Sequence, residues 1–297
     1  MRTPLGIATI FLLLVWLMIE GYQSCLPFPA ERTAMVMGTT VRVKVNGSGA
    51  PHWTNRALFE IRRLEKVFNK FDSESEISLI NKLGGRAPLQ VSTDTFDVLT
   101  LAQAVNRASG GAFDVTLGDP QGLILNEKNR TVRFIHSSFV IRHSSLDLGG
   151  IGKGYAVESA RQLLLKKGVK SAIIDAHSSI AVIGDGWRVG IRDPRYPVSG
   201  TRELIGVVAL NDGDALSTSG QYEQPGHIVD PRSGRPADRC LSVTVVAKDA
   251  ALADALSTAV FVLGPVDGLK LLQKFRAKSF IIDRNGTIND NLGVKLR

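Results

Sequence analysis

The run Asp147-Leu148-Gly149-Gly150-Ile151-Gly152-Lys153-Gly154-Tyr155 gathers four glycines, a carboxylate and an amine just ahead of a helix-forming stretch. Bare backbone at a helix start presents unpaired N–H groups and the positive end of the helix dipole, which together hold phosphate, and Lys153 adds a full charge. Neither familiar phosphate motif fits. A P-loop needs Gly where Asp147 stands and Ser or Thr after Lys153, and the glycines do not space as GxGxxG. On its own the pattern suits either a phosphate cradle or a tight structural turn.

Downstream, Ala253-Asp254-Ala255-Leu256-Ser257-Thr258 puts Asp254, Ser257 and Thr258 at i, i+3 and i+4, on one helical face. One carboxylate with two hydroxyls is half the oxygen shell of a hard cation such as Mg²⁺, whose remaining ligands come from phosphates and water. The same spacing also suits a helix that tolerates polar residues among small ones. A third stretch, Ser217-Thr218-Ser219-Gly220-Gln221-Tyr222 followed by Gly226-His227-Ile228-Val229-Asp230-Pro231-Arg232-Ser233-Gly234-Arg235-Pro236, mixes hydroxyls, an imidazole and charges in turn-forming surroundings, where binding loops lie. Ser219 stands outside a GxSxG elbow, so no serine nucleophile is marked. His52, His136, His143 and His177 are isolated, without metal-ligand spacing.

These residues need elements to hold them. A strand is expected over Met35–Val45, ending at Asn46-Gly47-Ser48-Gly49, then a helix whose stripe is Ala57, Ile61, Leu64 and Phe68. A second helix is expected over Ser92–Ser109, with Phe96, Leu99, Ala102 and Val105 on one side and Gly110-Gly111 as its stop. From Thr131 the texture becomes β-prone, with strands at Thr131–His136, Phe139–His143, Ser171–Ala176, Trp187–Ile191, Leu204–Leu210, Leu241–Ala247 and Ser279–Asp283. Helices at about Gly154–Lys167 and from Asp249 to Gly264-Pro265 interrupt them. The expected class is α+β, with mixed or largely antiparallel sheets and packed helices in two lobes around a cleft. Residues 35–297 read as one domain, preceded by a linker over 26–34.

Arg2 precedes an apolar stretch, Leu5–Ile19, which matches a signal-peptide core and is short for a membrane span, so residues 1–25 read as an export signal or membrane anchor. Cys25 sits where a bacterial lipoprotein carries its lipid, although Tyr22-Gln23-Ser24 matches the usual small-residue box poorly. Lipidation, simple cleavage and an uncleaved anchor all stay open. Cys240 is the other cysteine, so neither a disulfide framework nor a zinc site follows. The chain has 297 residues, 44% hydrophobic and 22% charged, enough for a substantial core. Its net charge of +8 comes from scattered Lys and Arg, without the basic run that marks a nucleic-acid partner.

Taken in order, the segments resemble the ApbE family, the FAD:protein FMN transferases. The resemblance covers nearly all of the chain after the leader: Met37-Gly38-Thr39, Phe71-Asp72-Ser73-Glu74-Ser75-Glu76-Ile77 with Asn81, Gly111-Ala112-Phe113-Asp114-Val115-Thr116, and the glycine turn from Asp147. It continues through Trp187-Arg188-Val189-Gly190-Ile191 with Asp193-Pro194, Ser217-Thr218-Ser219-Gly220 with Tyr222, His227-Ile228-Val229-Asp230-Pro231, Ser242–Ala247, and Ala253-Asp254 with Thr258. The resemblance implies a protein that holds FAD with Mg²⁺ on its pyrophosphate and passes FMN to a Ser or Thr hydroxyl of an acceptor flavoprotein subunit, releasing AMP. Carried over by position, Met37, Phe71, Ala112, Phe113, Asp114, Asp147, Lys153 and Val229 line the FAD site. The metal lies between the Gly150 carbonyl and the side chains of Asp254, Ser257 and Thr258, with Asp254 essential to catalysis and His227 as general base. The leader, for its part, implies export to the periplasmic side of a bacterial membrane. His177-Ser178 stands where the family has a Gly-Gly pair, which keeps two alternatives in view: hydrolysis of FAD to FMN and AMP, or flavin binding without catalysis.

Overall fold

A computed structural model describes residues 28–135, 145–196, 204–221 and 226–296. The leader with Cys25, the expected strand Phe139–His143, His136 and Tyr222 lie outside the described residues.

The stretch read as one strand is a hairpin. β1 (Ala30–Val36) and β2 (Thr39–Val45) pair antiparallel from Val36↔Thr39 to Ala30↔Val45. Met37 (φ 54°) and Gly38 (φ 70°) form the two-residue turn, whose central positions both need positive φ. The expected linker over 26–34 therefore gives way to strand at Ala30. In β2, Val41, Val43 and Val45 alternate into the core.

α1 (Ala50–Phe68) begins with Pro51 in its first turn and buries the expected stripe of Ala57, Ile61, Leu64 and Phe68. α2 (Glu76–Leu83) is capped by Ser75, and α3 (Thr93–Ala108) by Ser92, whose N–H and hydroxyl both go to the Glu76 carboxylate. A small sheet orders β3 (Leu89–Gln90), β5 (Thr131–Phe134) and β4 (Leu123–Asn126). α4 (Gly152–Lys166) then leads into β6 (Ala172–Ala176), β7 (Ser179–Ile183), β8 (Trp187–Arg192), β9 (Leu204–Leu210) and β10 (Ala215–Gly220). The hairpin β11 (Val229–Asp230) and β12 (Arg235–Pro236) precedes β13 (Cys240–Ala247). The chain closes with α5 (Ala250–Leu263), α6 (Pro265–Lys274), β14 (Lys278–Asp283), β15 (Ile288–Asp290) and β16 (Lys295–Leu296).

The main sheet has eight strands in the order β1-β2-β6-β7-β10-β13-β14-β15, every pair antiparallel. Alternation sends one set of side chains to each face. Ala181, Ala215, Val243, Val245 and Ile281 join the helices in one continuous core that extends to Val132 and Phe134 of the small sheet. Ile180, Val182, Leu216, Phe280 and Ile282 point the other way, onto the three-stranded sheet β16-β9-β8. The α+β class with antiparallel sheets is thus as expected. The polar stretch expected as a binding loop at Ser217–Gly220 is instead a strand in the interior of the main sheet.

Candidate functional site

Two helices make the site, and both are anchored. α5 starts at Asp249, whose carboxylate accepts from Leu252 N–H at 2.8 Å; burial pushes this carboxyl above the usual range. The next donor, Ala250 N–H, goes to Glu158 of α4 at 3.0 Å. Glu158 pairs with buried Arg161 at 2.7 Å, and Arg161 also donates to the carbonyls of Gly213 and Lys248. Four backbone segments are tied through one buried ion pair.

Gly154 lets α4 meet α5 backbone to backbone. A Cβ there would lie 2.3 Å from the Ala250 carbonyl oxygen and 2.6 Å from Asp254 Cβ. In that gap the Gly154 N–H donates to Asp254 Oδ2 at 2.9 Å, and Ser217 of β10 donates to Oδ1 at 2.9 Å. Asp254 is 4% exposed, and among the described residues no Lys or Arg forms an ion pair with it. One turn on, Thr258 Oγ1 lies 3.2 Å from Ser219 Oγ, and Ser257 Oγ lies 2.8 Å from the same atom. Ser257 gives its own proton to the Asp254 carbonyl. No group of three or more His, Cys, Asp or Glu clusters among the described residues, so a cation here would depend on hydroxyl and carbonyl oxygens around one carboxylate.

The glycine turn closes the other side. A Cβ on Gly150 would stand 3.1 Å from Phe113 Cε2 and 3.2 Å from Thr258 Oγ1; one on Gly152 would stand 3.9 Å from Met37 Cε. Asp147 accepts from Gly149 N–H at 2.8 Å and from Lys70 Nζ at 2.6 Å, while its own N–H goes to the Val115 carbonyl. Lys70 also sits 5.0 Å from the ring centroid of Phe71, which is 87% exposed. Lys153 reaches back over the turn to the Gly149 carbonyl. Met37, Phe71, Phe113, Asp147, Gly150, Lys153, Asp254 and Thr258 are thus joined by contacts. Ala112 is buried beside Phe113, and Asp114 turns both oxygens to its own loop, accepting from Thr116 and Gly118.

His227 and Val229 come from a separate support. Gln221 donates to the carbonyls of Ile228 and Ala237 and accepts from Gly226 N–H, clasping the β11–β12 hairpin. The hairpin rests on the loop that carries Ala112 to Asp114: Gly111 faces Arg232 and Gly118 faces the Pro231 carbonyl. His227 and Val229 are exposed on it. His177 and Ser178 form the β6–β7 turn, and His177 has φ 67°, a left-handed conformation that glycine adopts more easily. The Ser178 carbonyl accepts from Thr218 N–H, so the departure sits one strand from the hydroxyls around Asp254. Lys70 and the Glu158–Arg161 pair carry no local signal in the sequence, and Ser217, Ser219 and Gln221 stand in a stretch that reads as a binding loop without disclosing their partners. Only pairing across the sheet and helices brings them to the site.

The ApbE family model matches residues 37–281. An FAD:protein FMN transferase of Klebsiella pneumoniae (strain 342) is 29% identical over 279 residues, covering 82% of this chain and 85% of the relative. Another of that name, from Treponema pallidum (strain Nichols), is 30% identical and covers 82% of both chains. Among solved structures, an ApbE protein of Thermotoga maritima aligns with a TM-score of 0.77 at 27% identity, covering 88% of this chain and 96% of its own. The apo form of the Pseudomonas stutzeri flavinyl transferase ApbE aligns at 0.73 and 26% identity, covering 88% and 92%.

Proposed function

This chain belongs to the ApbE family, and on that premise we propose that it is an FAD:protein FMN transferase. The acceptor is a Ser or Thr hydroxyl of a flavoprotein subunit. Its oxygen attacks the FMN-side phosphorus of FAD, the pyrophosphate bridge breaks, AMP departs, and FMN stays on the acceptor as a phosphoester.

The observation that carries the reading is the Asp254 carboxylate, buried at 4% exposure with two neutral donors and no ion pair among the described residues. A carboxylate so placed calls for a cation. Among the described residues each of its oxygens accepts a single hydrogen bond and keeps a lone pair for a ligand. Asp254, the Thr258 hydroxyl and the Gly150 carbonyl would hold Mg²⁺, with Ser257 backing them. Bound there, the ion would neutralise charge gathering on the pyrophosphate.

The remaining roles fall to the chain's own groups. The Lys153 amine at the start of α4 receives phosphate oxygens; the N–H groups of Gly149, Ile151, Gly152 and Gly154 are taken within the protein, so the glycines serve close approach rather than donation. Met37 and Phe71 supply apolar surface for the flavin or adenine rings, with Phe113 buried against the glycine turn, Ala112 and Asp114 shaping the loop beneath and Val229 exposed on the hairpin. Asp147, held by Lys70, fixes the turn. His227 takes the proton from the acceptor hydroxyl. Residues 1–25 serve export to the periplasmic side and attachment to the membrane, through a lipid on Cys25 or an uncleaved segment. Among the described residues no helix is long and apolar enough to cross a membrane.

The test is incubation with FAD, Mg²⁺ and an acceptor flavoprotein subunit, read as flavin fluorescence that survives denaturing electrophoresis. A fluorescent acceptor band is expected. Free FMN without a band would select hydrolysis, and bound FAD without turnover would select a binding protein.

A further inference from the structure

The hydroxyls around Asp254 own one proton each, and the fixed ends of their chain set the direction of all of them. Ser217 gives its proton to Asp254 Oδ1, so in its 3.2 Å contact with Ser179 Oγ it accepts. Ser257 gives its proton to the Asp254 carbonyl, so in its 2.8 Å contact with Ser219 it accepts as well. That commits the Ser219 proton, and the 3.2 Å contact between Ser219 and Thr258 is then filled by the Thr258 proton. Thr258 Oγ1 therefore turns its proton towards β10 and keeps its lone pairs for another partner; a Cβ on Gly150 would stand 3.2 Å from this oxygen.

The spacing makes this frame possible. Ser217 and Ser219 are two apart on a strand, a rise of about 6.6 Å, and Asp254 and Thr258 are four apart on a helix, a rise of about 6 Å. One strand face thus meets both positions in register, with Ser217 under Asp254 and Ser219 under Thr258.

We propose that Ser217 and Ser219 are positioning residues, which fix the Asp254 carboxylate and the Thr258 hydroxyl in the orientation a divalent cation requires, and that Ser257 is a link in this frame rather than a ligand. The inference rests on the reading of Asp254 and Thr258 as a cation seat. Partners that orient ligands typically govern about 10- to 100-fold in metal affinity. Mg²⁺ demands near-ideal octahedral geometry, whereas Ca²⁺ accepts a looser shell, so a lost orienting hydroxyl penalises Mg²⁺ more.

The experiment titrates Mg²⁺ and Ca²⁺ separately into the metal-free full chain by calorimetry. Ser217→Ala and Ser219→Ala are each expected to weaken Mg²⁺ by about tenfold or more, with a smaller loss for Ca²⁺. Ser219→Thr, which keeps the hydroxyl, is expected to restore Mg²⁺ affinity. Ser257→Ala should retain more Mg²⁺ affinity than Thr258→Ala. If Asp254→Ala binds Mg²⁺ as the unsubstituted protein does, the cation seat itself is wrong. If Asp254→Ala loses Mg²⁺ while both β10 alanine variants retain it, or lose both ions equally, the positioning role fails and the seat stands. Should Ser217→Ala not fold, Ser219 at the rim of the cluster carries the test alone.

Discussion

The Gly154 N–H donates to Asp254 Oδ2 at 2.9 Å from a backbone so close to α5 that a methyl on Gly154 would stand 2.3 Å from the Ala250 carbonyl oxygen. The gap is bounded by backbone, which cannot swing aside. Gly154→Ala should therefore destabilise the fold by about 1–3 kcal/mol, as overpacking does, and lose transfer activity as Asp254 is displaced. Urea unfolding beside the flavinylation assay would read both, and wild-type values in each would contradict the close approach.

Asp254→Ala should separate catalysis from binding. Removing an electrostatic contributor of this kind lowers turnover by about 100-fold or more, whereas the proposed FAD seat keeps Lys153 and its apolar surface. Single-turnover flavinylation and FAD fluorescence titration measure the two effects independently. Equal loss in both would reassign Asp254 to binding.

Arg161→Ala would leave Glu158 buried without its partner, along with the carbonyls of Gly213 and Lys248. Breaking a buried pair in this way costs about 3–5 kcal/mol. Chemical denaturation should show that loss, and the damage should reach the site because Glu158 also receives the first N–H of α5.

His177→Gly should stabilise the protein. His177 adopts φ 67°, and left-handed backbone costs a residue with a Cβ about 1 kcal/mol that glycine avoids. A raised melting temperature is expected, and a fall would show that the imidazole makes contacts worth more than the strain. The same variant, combined with Ser178→Gly, tests whether the turn limits acceptor entry: faster flavinylation with unchanged FAD binding is the expected outcome.

Burial, with a lesser push from Asp283, raises the Cys240 thiol from its ordinary 9.0 to about 12. A group whose folded pKa is raised contributes stability that is intact below pH 9 and lost as pH climbs towards 12, because the unfolded thiol ionises first. Iodoacetamide at pH 8 should leave Cys240 untouched in the folded protein and alkylate it in urea, located by peptide mass spectrometry. Native-state labelling would contradict its burial.

What the sequence discloses follows the physics of each element. The stripes of α1 and α3 and the start of α5 at Asp249 are local patterns, and all three stand as read. The β1–β2 hairpin was hidden because Met37, an apolar residue, occupies a positive-φ turn position that looks like strand continuing. β10 was hidden for a different reason. Beyond Ala215 its inward residues are serines, since the helix it faces presents Asp254, Ser257 and Thr258, so a buried strand carries the polarity of a loop. Within the site, Asp147 and Asp254 belong to recognisable segments, but Lys70 lies 77 residues from its partner Asp147 and Ser217 lies 37 from Asp254. Such pairings exist only once the sheet is assembled.

The Gly154 contact also decides where the molecule can yield. With α4 and α5 seated backbone on backbone and fastened again by Glu158 and Arg161, the floor of the proposed site behaves as an anvil. The β11–β12 hairpin is a separate piece, clasped by the Gln221 amide and set against the loop at Gly111 and Gly118. A folded acceptor must therefore bring its hydroxyl to this floor, because the floor cannot move to meet it.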